Sequence, residues 1–268
     1  MIPDVNRLKR LIKSGLRSVL RPRRFHAYCV GAPKTGTHSL AEVFGKHFRT
    51  AHEPKYRRLI DQIVAFRGGA VKEKEFDRYL KERDERLQLE MESSHLIYFY
   101  IERLVKLFPK AKFILTVRDV RSWLESWINY ELAQPGRIGS HESEWLPIRD
   151  LRFKTEHSHP PEEKVLAEHG LYTLDGYLSN WADHNRAILA AVPEERLLVV
   201  RTNEIAKELG RIADFLGIRA NQLDPGRSHS YRNEKKFDVL SKIDKGYLQR
   251  KLDVHCGELT RRFFNESR

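Results

Sequence analysis

Short apolar runs alternate along this chain with longer stretches in which apolar positions recur at helical spacing. The short runs are rich in β-branched and aromatic residues and read as strands at His26–Val30, Leu87–Met91, Lys112–Val117 and Arg196–Val200, with a weaker one at Arg49–His52. Helical periodicity fills the intervals over Thr37–His47, Lys72–Arg86, Tyr98–Phe108, Val120–Ala133, Thr173–Ala191 and Glu204–Leu216, and over a long basic stretch, Lys236–Phe264. Strands that alternate with helices pair in parallel, since each crossover needs a helix. The pattern therefore predicts an α/β fold, a single domain with a central parallel β-sheet flanked by helices. No internal repeat interrupts it.

Two segments stand apart from that alternation. In residues 1–25, Leu8, Leu11, Ile12, Leu16, Val19 and Leu20 fall at helical spacing with Arg7, Lys9, Arg10, Lys13, Arg17 and Arg21 around them, which reads as a basic amphipathic helix preceding a domain over residues 26–268. Such a helix packs on the domain or makes peripheral contact with an anionic membrane, and the pattern leaves both open. Residues 134–164 mix Pro, Gly, His and charge with little periodicity. That is long for a connection inside one domain, so the segment reads as a substrate loop or lid.

Composition narrows the partners. Lys and Arg outnumber Asp and Glu by 49 to 37 in 268 residues, a net charge of +12, which favours anionic ligands: nucleotides, nucleic acid, phosphorylated or sulfated substrates, acidic membrane. The two cysteines, Cys29 and Cys256, form no CxxC pair, so a reducing, cytoplasmic setting is expected. No apolar run reaches the length of a membrane span. His157, Ser158 and His159, with His141 and Glu144, read as loop or solvent-facing positions rather than metal ligands. The run KEKEFDRYLKERDER reads as a solvated helix with i,i+4 ion pairs, and Trp123 and Trp127 as packing residues.

The stretch CVGAPKTGTHSL, Cys29 to Leu40, carries a strand into a Gly, Pro and Thr turn and then a helix, a geometry that aims backbone N–H groups and the positive helix end at one anion. Tested against the nucleotide P-loop pattern GxxxxGK[ST], Gly31 and Gly36 match, but Thr37 stands at the Lys position and His38 at the magnesium-binding Ser/Thr position. The one Lys sits inside the loop, at Lys34. This argues for phosphate bound without magnesium–ATP chemistry.

PKTGT, Pro33 to Thr37, resembles the 5′-phosphosulfate loop of sulfotransferases that use 3′-phosphoadenosine 5′-phosphosulfate (PAPS), closer to the bacterial and carbohydrate-type members. A second stretch, FILTVRDVRSWLESW, supports the resemblance: Arg118 closes a strand and Ser126 follows eight residues later on a helix, as in the family's 3′-phosphate site. Val120 replaces the family's Pro, a change that removes only a pre-set first turn. Trp181 to Ile218 is similar to the family's helix, strand and helix ending in Phe-Leu-Gly, and HSYRNEKK is the counterpart of its basic C-terminal loop, with Arg232 as the candidate cofactor contact.

The resemblance implies a P-loop NTPase-like sulfotransferase fold and sulfuryl transfer from PAPS, with release of adenosine 3′,5′-bisphosphate (PAP) and no metal. It implies that Pro33, Lys34, Thr35, Gly36, Thr37 and His38 hold the 5′-phosphosulfate, with Lys34 neutralising charge on the leaving oxygen. For the base it offers Glu53 after the second strand, as in carbohydrate and lipid members, or His95 in SSHL, as in small-molecule members; a cooperating pair stays open. A glycan or lipid-linked acceptor is preferred to a small phenol, and no nucleic-acid partner is expected. The rivals are a P-loop kinase or hydrolase and a non-catalytic basic module binding nucleic acid or membrane.

Overall fold

The computed structural model describes residues 22–133, 144–153, 158–228 and 235–265. Most of the N-terminal amphipathic segment, much of the expected lid, and Arg232 lie outside the described residues. Five strands are present, β1 (Ala27–Cys29), β2 (Thr50–His52), β3 (Met91–Ser93), β4 (Lys112–Val117) and β5 (Leu197–Arg201). All pair in parallel in the order β2-β3-β1-β4-β5. Ala27 of β1 is in register with Met91 on one side and Lys112 on the other. The sheet thus turns in opposite directions from β1, and the crevice beyond the strand ends at such a switch is where open α/β sheets bind ligands.

The helices are α1 (Thr37–Phe44), α2 (Tyr56–Arg67), α3 (Glu73–Leu87), α4 (Ile101–Leu107), α5 (Val120–Leu132), α6 (Leu146–Phe153), α7 (Lys164–Glu168), α8 (Leu174–Ala191), α9 (Leu209–Leu216) and α10 (Lys245–Phe264). Alternation along the strands divides the core in two. Tyr28, Val30, Phe113, Leu115 and Val117 face a large cluster that includes Trp123, Tyr177 and Trp181. Ala27, Cys29, Ile114, Leu198 and Val200 face a smaller cluster closed by α1 and α9. Burying an apolar side chain of this size stabilises by about 1.5–3 kcal/mol, which is what holds strands as short as three residues in place.

Several expected boundaries move, each for a physical reason. The apolar residue Leu87, expected to open a strand, instead ends α3, and Gln88 stops the helix in the left-handed region at φ 50°. Glu90 then turns its carboxylate to the backbone N–H groups of Arg24 and Arg49, so the strand begins only at Met91. Helix α9 starts at Leu209 rather than Glu204, because Thr202–Glu204 forms a 3₁₀ turn anchored by Thr202. The C-terminal helix begins at Lys245, where Asp244 accepts the Tyr247 N–H. Helices α2 and α6 were not expected; α6 lies within the segment read as a loop.

The charged run on α3 is not solvated throughout: Phe76, Tyr79, Leu80 and Arg83 are buried. Arg83 grips Glu92 of β3 through two hydrogen bonds of 2.5 and 2.8 Å and donates a third to the Pro54 carbonyl at 2.9 Å. No described helix is long and apolar enough to cross a membrane.

Candidate functional site

Every strand delivers a residue to one cleft at its C-terminal end. The turn at 31–36 follows β1, Glu53 follows β2, His95 comes two residues after β3, Arg118 follows β4 and Thr202 follows β5. The cleft encloses about 980 Å³, enough for a nucleotide-sized ligand with a second molecule beside it.

The turn after β1 is fixed from behind. A Cβ on Gly31 would stand 2.0 Å from the Thr116 hydroxyl and 2.4 Å from that of Thr35, so no side chain fits there. Gly36 takes φ 90° as the residue preceding α1, a conformation that glycine alone adopts readily. Trp123 donates its indole N–H to the Pro33 carbonyl at 2.7 Å. The Thr202 hydroxyl sits 2.7 Å from the Thr35 carbonyl and 2.9 Å from that of Val117, tying the turn to β4 and β5. No side chain caps α1, and a helix leaves its first N–H groups without intrahelical partners, so this end is chemically suited to an anion.

The expected phosphate ligands divide on inspection. Pro33, Lys34, Gly36, Thr37 and His38 line the cleft, as do Arg118 and Ser126. Thr35 does not fit the expectation: it is buried, its hydroxyl donates to the Ala32 carbonyl at 2.7 Å, and its N–H bonds the same oxygen. It braces the turn from within. The Thr37 hydroxyl lies 3.1 Å from His52 Nε2, and the His52 ring sits 5.1 Å from that of His38. Burial and the neighbouring His38 push the His52 pKa down to about 4.

Lys34 and Arg118, distant in sequence, meet on one wall. An Arg118 Nη1–H reaches the Lys34 carbonyl at 3.5 Å while its Nε–H donates to Ser122 Oγ at 3.3 Å. The Lys34 ammonium rests 4.3 Å from the Tyr130 ring centroid, a cation–π distance. Burial, reinforced by Arg118, lowers the Lys34 pKa to about 8; burial also lowers that of Arg118. Crowded cations with depressed pKa values are chemically suited to receiving an anion.

Toward the β2–β3 side of the cleft, Glu53 Oε1 and His95 Nε2 are 3.0 Å apart. The two candidate bases are therefore one close pair. Lys34 and Glu53 both hold positive φ, 65° and 49°, a conformation costing roughly 1–2 kcal/mol for a residue with a Cβ. Sequence reasoning missed three groups here: Tyr130 beneath Lys34, Thr202 behind the turn, and Arg152 of α6, whose Nη2 lies 2.9 Å from His95 Nδ1. Thr202 was open to inference, as the residue following a strand in an α/β sheet. Arg152 carried no such signal. Among the described residues, no group of three or more His, Cys, Asp or Glu is arranged to hold a metal ion.

Comparison with known proteins agrees with this architecture. The structure is similar to the sulfotransferase STF9 from Mycobacterium avium, at a TM-score of 0.54 and 14% identity over 95% of this chain and 81% of that one. It is also similar to a sulfotransferase from Alicyclobacillus acidocaldarius, at a TM-score of 0.50 and 19% identity over 92% of this chain and 97% of that one. At these identities the likeness speaks to the fold alone. No protein of curated function matches the sequence. The model of the sulfotransferase domain family, however, matches residues 28–224, from β1 past α9, and on that match the chain belongs to the sulfotransferase domain family.

Proposed function

We propose that this sulfotransferase takes its sulfuryl group from PAPS and delivers it to a hydroxyl or amine of an acceptor seated against the Glu53 wall. The observation that carries the reading is the meeting of Lys34 and Arg118, at 3.5 Å from guanidinium nitrogen to carbonyl oxygen, in the same cleft as the Glu53–His95 pair. A ligand with two phosphate-type groups suits that wall. The turn ahead of α1 offers N–H groups and Lys34 to one of them, and Arg118 with Ser126 suits the other.

When bound, PAPS supplies a sulfuryl group that moves to the acceptor oxygen or nitrogen as its bond to the 5′-phosphate oxygen breaks. The ammonium of Lys34 offsets charge gathering on that phosphate oxygen, a preorganised electrostatic role. Glu53 takes the proton that leaves the acceptor, so the acceptor heavy atom ends bonded to sulfur and the carboxylate ends as the acid. Thr202, Trp123 and Thr35 hold the turn rigid, so Lys34 needs little rearrangement to act.

A magnesium–ATP enzyme is disfavoured by the register of the turn, in which Thr37 and His38 replace the Lys and Ser/Thr that such chemistry uses. Calorimetric titration with PAP, and with magnesium–ATP in parallel, tests the reading. One-to-one binding of PAP with little or no response to ATP is expected; saturation by ATP with silence toward PAP would overturn it.

A further inference from the structure

Arg152 stands on α6, within the segment whose sequence reads as a loop, yet its guanidinium reaches the centre of the site. One nitrogen lies 2.9 Å from His95 Nδ1, and the cation packs 5.4 Å from the Phe99 ring and 5.8 Å from that of Trp127. The other terminal nitrogen, Nη1, is buried with no hydrogen-bond partner among the described residues. Among the described residues no carboxylate forms an ion pair with it. A sequestered guanidinium without a carboxylate is an expensive arrangement, so what it touches matters.

Donor and acceptor accounting fixes the state of His95. A guanidinium carries donors only, so His95 Nδ1 must present its lone pair to Arg152. A neutral imidazole then carries its hydrogen on Nε2, which lies 3.0 Å from Glu53 Oε1. An imidazolium would set an Nδ1–H against an Arg152 N–H. The other polar groups around His95 do not change the outcome. His52 of β2 and His184 of α8 both have depressed pKa values, and His184 donates Nε2–H to the Val30 carbonyl at 2.8 Å. Tyr98 stacks on His184, the Trp145 ring is 5.6 Å away, and Glu53 is the acidic group 3.0 Å from the imidazole. Burial and Arg152, with smaller contributions from His52 and His184, hold the His95 pKa well below its ordinary value.

We propose that Arg152 is a positioning residue that locks His95 as the neutral Nε2–H tautomer, which removes His95 as a base and leaves Glu53 as the proton acceptor of the cleft. The word base rests on the proposed sulfuryl transfer; the tautomer and charge of His95 do not. Sequence alone left Glu53 and His95 as alternatives, and the Arg152–His95 hydrogen bond separates their roles.

The test is long-range ¹H–¹⁵N NMR of the full chain labelled with ¹⁵N-histidine, His95 being assigned from the signal lost in His95→Gln. In wild type, His95 is expected as neutral Nε2–H with no titration between about pH 5.5 and 8. In Arg152→Met, where burial remains but the guanidinium is gone, its midpoint should shift upward toward that window. Arg152→Lys, which keeps a cationic donor, should restore the untitrated state. The kcat–pH profile of Arg152→Met should gain an acid limb at the NMR midpoint, since an imidazolium paired with Glu53 makes it a poorer base, while KM for the sulfuryl donor stays within about twofold. A wild-type His95 that titrates near its ordinary value, one protonated on Nδ1, or an Arg152→Met variant with an unchanged His95 would overturn the proposal. The wild-type spectrum decides the tautomer even if a variant fails to fold. Failure to bind PAP would overturn the cofactor reading and leave the tautomer result standing.

Discussion

Arg83 on α3 and Arg152 on α6 are both sequestered from water, and their surroundings are opposite. Arg83 meets Glu92 in a two-point ion pair, with side chains 6% exposed on both partners, and also bonds the Pro54 carbonyl. Burial alone would lower its pKa, but Glu92 and its hydrogen bonds outweigh that effect and the net shift is upward. Arg152 donates instead to an imidazole, and burial lowers its pKa to about 10. Lys34 and Arg118, across the cleft, also shift downward. The difference separates architecture from chemistry. A matched charge under the β2–β3 edge fixes the backbone that carries Glu53, whereas in the cleft burial dominates and lowers the pKa values of Arg152, Lys34 and Arg118.

The comparison breaks most sharply at Arg83. Arg83→Met leaves Glu92 buried without its partner and should cost about 3–5 kcal/mol in urea unfolding, with PAP affinity of the folded protein nearly unchanged. Adding Glu92→Leu should recover most of that loss, because the pair's worth lies in its matching. Lys34→Ala should behave in the reverse way, lowering turnover by about 10²–10³-fold while the melting temperature stays put. If Lys34→Ala instead lowered stability and spared turnover, the division between architectural and cleft cations would fall.

A smaller loss is expected for Arg118→Ala. Charge-assisted hydrogen bonds contribute about 1.5–3 kcal/mol, so calorimetry should show PAP weakened roughly 10–100-fold. Equal affinity in this variant and wild type would remove Arg118 from the phosphate wall. The mildest effect concerns pH. With the Lys34 pKa lowered to about 8, the unliganded cleft loses this positive charge as pH rises through that value, and PAP affinity should fall there. The slope can reach at most about tenfold per pH unit for one proton and should vanish in Lys34→Arg, which stays charged.

Legibility from sequence followed the range of the interactions involved. The β1–α1 turn and the β4–α5 junction each pack strand, turn and helix signals into about a dozen residues, and both appear where expected, with Lys34, Arg118 and Ser126 on the cleft. Helix α2 escaped notice because its buried stripe is only Leu59, Ile60 and Ile63 amid charge, and because it begins at Lys55 in a left-handed conformation without a capping side chain. Leu87 suggested a strand for the same reason that it packs well at the end of a helix: apolar character alone does not distinguish the two. The inward turn of the Thr35 hydroxyl depended on Thr116, eighty-one positions away.

By itself, then, the sequence determined the alternation that makes a parallel sheet, the turn shaped for an anion, and the cationic residues placed at strand ends. These are local properties, set by periodicity, glycine and the sterics of a strand entering a helix. Tertiary structure alone decided that Glu53 and His95 form one pair, that Arg152 from a remote helix fixes its hydrogen-bond direction, and that Arg83 is balanced by Glu92 while Lys34 and Arg118 are set side by side. Proton placement and charge balance depend on distances of about 3 Å between residues far apart in the chain, and only the packing of helices onto the sheet sets those distances.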